Sequence, residues 1–195
     1  MEIYEHYLVE HQNKFIVSEV SKQIQDDQYK LLELLVSSCA HPNMNCVEIG
    51  SWTGNSAVLI GTIVKRMCGK LYSIDWYQGG VGEEHLKSLA EKINIRDIFM
   101  SNMKFFELED TVTQMNTKSE AANKDFDKES LDFIFIDGDH TYEGVKEDIK
   151  LWLPKLKRGK ILAGHDYNHD GVNEAVNKIF PLAEKMKELW WIKKP

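Results

Sequence analysis

The sequence predicts an α/β fold with a doubly wound, mostly parallel sheet, strands and helices alternating along its 195 residues. Two observations carry this. Short β-branched and aromatic runs, such as Phe133-Ile134-Phe135-Ile136 and Ile161-Leu162-Ala163-Gly164, are apolar on both faces, as strands inside a parallel sheet must be. The segments between such runs repeat their apolar residues at helical spacing, which calls for crossover helices.

Ile16, Val20 and Ile24, then Leu31 and Leu35, are spaced for amphipathic helices ahead of the sheet. Cys46–Ile49 is a short strand, Gly50–Gly54 the turn after it, and Ala57, Val58, Gly61, Val64 and Cys68 a helical stripe. Lys70–Asp75 is the second strand. The glycine-rich loop at 79–82 leads into a helix with Leu86, Leu89, Ala90 and Ile93 on one face. Ile98–Leu108 reads as helical and Thr111–Met115 as the third strand. The strand ending at Asp137 follows, then a helix carrying Val145, Ile149 and Trp152. Lys155-Leu156-Lys157-Arg158 reads as the solvated end of that helix, favoured by its dipole. Next come the strand ending at Gly164, a helix with Val172, Val176, Ile179 and Phe180, and an edge strand at Leu189–Ile192.

Residues 1–195 are expected to form one domain, with 1–40 as N-terminal helices. A net charge of −7 argues against nucleic acid or a membrane surface as partner, since both reward clustered Lys and Arg. Cys39, Cys46 and Cys68 have no paired spacing and read as buried small hydrophobes in a reducing compartment. Met1–Glu5 lacks a basic start with an apolar stretch, and the uncharged run Ile49–Val64 falls short of the roughly 20 apolar residues a membrane span needs. A cytoplasmic protein is expected.

Val47-Glu48-Ile49-Gly50-Ser51-Trp52-Thr53-Gly54-Asn55-Ser56 is a strand, a glycine turn and a helix start. Such a loop brings backbone close to a ligand and aims helix N–H groups at it; a plain tight turn reads equally well. Asp75 closes the next strand 21 positions after Gly54, where such folds hold a ribose diol. Trp52 takes the position where a dinucleotide site needs glycine for its pyrophosphate. S-adenosylmethionine has no pyrophosphate, and Glu48 can accept from its ammonium group. The loop therefore favours S-adenosylmethionine over NAD.

The chain resembles the class I S-adenosylmethionine-dependent methyltransferases, and within them the macrocin O-methyltransferase-like group. The resemblance rests on Val47–Ser51 to Ser56, Ser73–Trp76, Lys118–Ala122, Leu131–Tyr142, and Gly164–Tyr167 with Gly171-Val172. It implies that Glu48, Gly50 and Gly54 line the methionine part, with Ser51, Asn55 and Ser56 in the same loop. It also implies that Asp75 binds the ribose, with Trp76 and Ser119 beside the adenine. The implied sheet has about seven strands, the last antiparallel, although Phe180 to Leu189 leaves little room for the sixth.

Acidic groups follow two strands: Asp137-Gly138-Asp139-His140 and His165-Asp166. Neighbouring strands lie about 4.8 Å apart, so these groups converge, and carboxylates this close need a cation or a proton between them. By the resemblance, Asp137, His165 and Asp166 hold a divalent cation, with Asp137 also bordering the cofactor. Oxygen donors suit Mg²⁺, whereas an imidazole leans toward Mn²⁺; His165 can equally stand behind the ligands or act as a base. Asp139 is the expected general base, and His140 a substrate contact. Asp139 also reads as a cap of the next helix, as does His140.

The expected activity is cation-dependent O-methylation of a small-molecule hydroxyl, on a sugar or catechol-like diol. The expected cofactors are S-adenosylmethionine and Mg²⁺ or Mn²⁺, and homodimer formation stays open. A metal-dependent hydrolase or oxygenase built on Asp137, His140, His165 and Asp166, or a non-catalytic S-adenosylmethionine-binding protein, are the competing readings.

Overall fold

The computed structural model describes residues 26–80 and 83–195; the expected helical stripe of Ile16, Val20 and Ile24 lies outside them. Seven strands form one sheet: β1 (Asn45–Ile49), β2 (Lys70–Asp75), β3 (Val112–Asn116), β4 (Leu131–Ile136), β5 (Leu156–Gly164), β6 (Glu184–Met186) and β7 (Leu189–Lys193). Their order is β3-β2-β1-β4-β5-β7-β6. Strands β1 to β5 pair in parallel, while β7 runs antiparallel to both β5 and β6. The helices are α1 (Asp26–Ser38), α2 (Asn55–Arg66), α3 (Glu84–Lys92), α4 (Ile95–Phe105), α5 (Ser119–Ala122), α6 (Tyr142–Trp152) and α7 (Asp170–Ile179).

Strand alternation divides the core into two layers. Along β4, Phe133 and Phe135 pack with α1, α2 and α4, whereas Ile134 and Ile136 pack with α6 and α7. All four are buried on both sides of the sheet, and each such side chain contributes about 1.5–3 kcal/mol. Trp152 of α6 is fully buried, and its indole Nε1–H donates to Ser119 Oγ at 2.7 Å. No described helix is long and apolar enough to cross a membrane.

Four local expectations change. Lys157 and Arg158 belong to β5, not to a helix end, because a 3-10 turn at Leu153–Lys155 ends the helix early. Lys157 Nζ pairs at 2.9 Å with Asp132 Oδ1, which is fully buried and also meets His41 Nε2 at 2.8 Å. The sixth strand is present but only three residues long, so β6 is the edge and β7 lies inside the sheet. Helix α4 starts at Ile95, since Asn94 Oδ1 caps it by accepting from Asp97 N. Cys39 and Cys46 are buried as expected, but Cys68 is exposed.

The order reverses at β1. The chain moves outward through β2 and β3, then returns to set β4 on the other side of β1. Such a switch point opens a crevice at the carboxyl ends of the strands. There Asp137 N donates to Ile49 O at 2.8 Å, and Gly50 turns with φ +84°. A Cβ at Gly50 would lie 2.0 Å from Asp137 O, so only glycine lets the two strand ends meet. A similar approach occurs where Gly164 passes under the Trp190 ring, with 2.5 Å to any added Cβ.

Candidate functional site

A cavity of about 730 Å³ opens over the ends of β1, β2, β4 and β5, a size suited to a cofactor with a small acceptor. Of the residues singled out in the sequence, Gly50, Asp75, Trp76, Ser119, Asp137, Asp139, His140, His165 and Asp166 line it. Glu48, Ser51, Gly54, Asn55 and Ser56 do not. They sit behind the glycine turn or at the start of α2, and Glu48, Ser51 and Ser56 are buried there.

Asp75 lines the cavity at the end of β2. Its Oδ2 accepts from Trp52 N at 2.7 Å and its Oδ1 from Tyr77 N at 2.6 Å. Burial raises its pKa, against these backbone N–H groups. Trp52 reaches this position in a left-handed conformation, φ +43°, with its ring packed into the core. Glu48 faces the α2 layer, where Ser73 Oγ donates to its Oε2 at 3.0 Å; Oε1 has no hydrogen-bond partner among the described residues. Burial pushes this carboxyl up to about 8, opposed by the Ser56 and Ser73 hydroxyls, so it is protonated at neutral pH.

The cavity also holds a carboxyl that the sequence reading passed over. Asp148 of α6 lines the cavity and accepts from Ser119 Oγ. Burial pushes it up to about 7, against the Ser119 hydroxyl and with help from the charges of Asp139, Glu120 and Glu147. The signal was legible: Asp148 interrupts the buried stripe Val145, Ile149, Trp152. The Ser119 hydroxyl lies between Asp148 and the Trp152 N–H, so its hydrogen points at Asp148 and is not available to a ligand.

The acidic groups converge as their strand ends predict. Ile136 and Gly164 are register partners on β4 and β5, which sets Asp137 beside His165 and Asp166. His165 Nδ1 lies 3.6 Å from Asp137 Oδ1 and 3.2 Å from Asp166 Oδ1. His140 Nε2 lies 2.9 Å from Asp166 Oδ2, and its Nδ1 lies 3.5 Å from Glu83 Oε1. Asp166 holds a left-handed conformation, φ +56°, of the kind that costs 1–3 kcal/mol and gathers at functional sites. The His169 ring packs on His140 with centroids 4.8 Å apart and lines the cavity mouth with half of its side chain exposed.

Protons balance the charges in this cluster. Burial lowers both imidazole pKa values, but the Asp166, Asp137 and Glu83 carboxylates overcome it at His140, raising it to about 9. Asp137 and Asp166 raise His165 to about 10. For Asp166, burial is outweighed by hydrogen bonds from His140 and His165, which hold it well below the usual carboxylate range. Burial raises Asp137, against the pull of His165. Asp137, His140 and Asp166 offer ligand atoms within 4.8 Å of one another. His140 thus stands inside the ionic cluster, a place the resemblance gave to His165 and only the competing hydrolase reading gave to both.

Asp139 stands at the start of α6. Its Oδ1 accepts from Thr141 N at 2.7 Å, and Thr141 Oγ1 caps Gly144 N at 3.1 Å. A Cβ at Gly144 would lie 2.4 Å from Asp139 Cγ, so the helix start is shaped around this carboxylate.

Residues 47–167 match a family model described as a methyltransferase domain. An uncharacterized protein, R132, of Acanthamoeba polyphaga mimivirus is 27% identical over 155 residues, 77% of this chain and 66% of that protein. Uncharacterized protein y4gI of Sinorhizobium fredii is 28% identical over 122 residues, 62% of this chain and 13% of that protein. The chain thus spans less than two thirds of the curated relatives it matches. An O-methyltransferase from Bacillus cereus in complex with SAH is similar in structure, with TM-score 0.65 and 18% identity over 97% of this chain and 96% of that one. The O-methyltransferase TomG from Streptomyces achromogenes, in complex with SAM, gives 0.65 and 14% over 88% and 82%. Both likenesses are likenesses of fold. With the domain match running over more than half its length, the chain belongs to the methyltransferase-domain family.

Proposed function

We propose that this chain methylates a hydroxyl of a small molecule, a sugar or a catechol-like diol, in a divalent-cation-dependent reaction. One observation carries the reading: four ionisable groups, Asp137, His140, His165 and Asp166, converge in the same cavity whose far wall is Asp75 and Trp76. The donor set fits a divalent ion, because two carboxylates supply hard oxygens and an imidazole favours Mn²⁺ over Mg²⁺. Asp137 and Asp166 would hold it, with His165 or His140 as the nitrogen donor. When bound, S-adenosylmethionine supplies an electrophilic methyl group and a cation lowers the pKa of a coordinated hydroxyl.

The chain's own residues do the rest. Asp75 accepts from the ribose hydroxyls, held in place by the N–H groups of Trp52 and Tyr77. Trp76 and the Ser119–Asp148 pair border the adenine. Asp139 takes the proton of the acceptor hydroxyl, on a carboxylate already aimed by Thr141 N. A hydrolase using the same acids would leave the Asp75 and Trp76 wall without a role. Methyl transfer from S-adenosylmethionine to a panel of sugars and catechols, run with Mn²⁺, with Mg²⁺ and with EDTA, tests the reading. Product that needs the ion supports it. Full-rate turnover in EDTA overturns the cation's part, and ion-dependent hydrolysis without S-adenosylmethionine overturns the whole.

A further inference from the structure

We propose that Gln28, in the first turn of α1, is the positioning residue that fixes the His165 ring with Nδ1 toward Asp137 and Asp166. Gln28 and His165 are 137 positions apart in sequence, yet Gln28 Oε1 lies 3.3 Å from His165 Nε2. Both residues are almost wholly buried, 2% and 4% exposed.

The orientation of the Gln28 amide follows from its second partner. Its Nε2 donates to Glu188 Oε2 at 3.0 Å, and a carboxylate can only accept. The amide oxygen therefore faces His165, and because that oxygen also only accepts, His165 Nε2 carries a hydrogen. Nδ1 is left as the nitrogen facing the two carboxylates, at 3.6 and 3.2 Å. It is the one ring atom on which a proton and a cation can exchange. Partners behind a ligand that set its tautomer and ring angle in this way typically govern metal affinity.

Glu188 is itself held. Asn168 Nδ2 donates to its Oε1 at 2.9 Å, and Tyr167 N donates to its backbone oxygen at 2.9 Å. Glu188 Oε2 lies 3.8 Å from His165 Nε2, so without the Gln28 oxygen the ring has a carboxylate to turn toward, away from Asp137. Asp166, His165 and Glu188 are close enough to suggest a second cation position. Both Glu188 oxygens, however, already accept from Gln28 and Asn168, and Gln28 thereby confines the exchangeable site to one side of the ring.

This inference rests on the cation reading above, and two measurements separate them. The first is the ¹⁵N-edited histidine side-chain spectrum of the ion-free protein, wild type against Gln28→Leu. The second is Mn²⁺ binding followed by electron paramagnetic resonance. In the wild type the Nδ1–H of His165 should show the shift of a hydrogen bond to the carboxylates; in Gln28→Leu that signal should move as the ring turns toward Glu188, with Mn²⁺ affinity falling about 10–100-fold. The exchange pair Gln28→Glu with Glu188→Gln keeps both hydrogen bonds and the same charge, and it should restore the spectrum and the affinity even if Gln28→Leu melts early. An unchanged Nδ1 signal in Gln28→Leu overturns the proposal, as does failure of the exchange pair to restore it. Absence of Mn²⁺ binding by the wild type overturns the cation reading, and the histidine spectrum alone then decides the role of Gln28.

Discussion

His140 Nε2 and Asp166 Oδ2 meet at 2.9 Å across the gap between the ends of β4 and β5. On its far side the same ring faces Glu83 at 3.5 Å. The contact ties three segments together: the residue before α3, the loop after β4 and the turn after β5. The nearby carboxylates raise the pKa values of His140 and His165, so a divalent cation bound among these groups would compete with protons.

The first prediction follows from this competition. The His140 and His165 pKa values are raised from 6.5 to about 9 and about 10. Their stabilisation is therefore complete below pH 6.5 and is lost as pH climbs through those values. Asp166 has the opposite sign: its contribution is lost as pH falls below the ordinary value of 3.8. The ion-free protein should lose melting temperature from pH 7 to pH 10, and Mn²⁺ should reverse the loss. Apparent Mn²⁺ affinity should rise about tenfold per pH unit for each proton displaced. Calorimetry between pH 6 and 8 checks it, and a flat affinity would mean that no proton leaves.

Asp139 separates charge from capping. Asn retains an oxygen that can accept from Thr141 N but cannot take a proton from the acceptor. Asp139→Asn should keep the wild-type melting temperature while kcat falls about 10²–10⁴-fold, the loss shrinking as pH rises. Asp139→Ala should in addition lose about 0.5–1.5 kcal/mol of stability with the hydrogen bond from Thr141 N. Wild-type turnover in Asp139→Asn would assign it to the helix start alone.

Much of this site was legible because its residues lie at or just beyond strand ends. Asp137, Asp139, His140, His165 and Asp166 all fall within four residues of β4 or β5, and apolar runs mark those strands. The start of β5 was not legible. Its Lys157, Arg158 and Lys160 imitate a solvated helix end, and the reason for Lys157 is a buried aspartate 25 positions away on β4. Gln28 and Glu188 carry no local pattern, since only the packing of α1 against the β6–β7 turn brings them to His165. Glu48, Ser51 and Ser56 were legible as a motif, but the twist of the turn sets them behind the cavity wall.

Asp75, proposed to hold the ribose, gives a binding prediction. Both of its oxygens are aimed by backbone N–H groups, and nothing in that anchoring depends on its charge being lost. Asp75→Ala should weaken S-adenosylmethionine binding by about 1–3 kcal/mol without unfolding the chain. Calorimetry with S-adenosylmethionine and NAD on wild type and variant checks it. Tighter binding of NAD by the wild type would reverse the argument from Trp52.

Glu48 yields a stability prediction of a definite sign. Its carboxyl is buried, with one oxygen bonded to Ser73 and the other without a hydrogen-bond partner among the described residues, and its pKa is raised from 4.5 to about 8. The folded state therefore holds a proton that the unfolded chain has released across that window. Stability must fall as pH rises from 4.5 through about 8, by about 1.4 kcal/mol per pH unit at most. Glu48→Gln cannot ionise, and its amide keeps an acceptor for the Ser73 hydroxyl. The stability difference between Glu48→Gln and wild type should be pH-independent below 4.5, grow in favour of the variant up to about pH 8, and then level off. Each kcal/mol gained raises the melting temperature by about 2–4 °C in a chain of this size. Denaturant titrations of both proteins from pH 4 to pH 9 measure the difference directly. Parallel curves across that range would mean that Glu48 is ionised in the folded state, with its charge matched by a partner group.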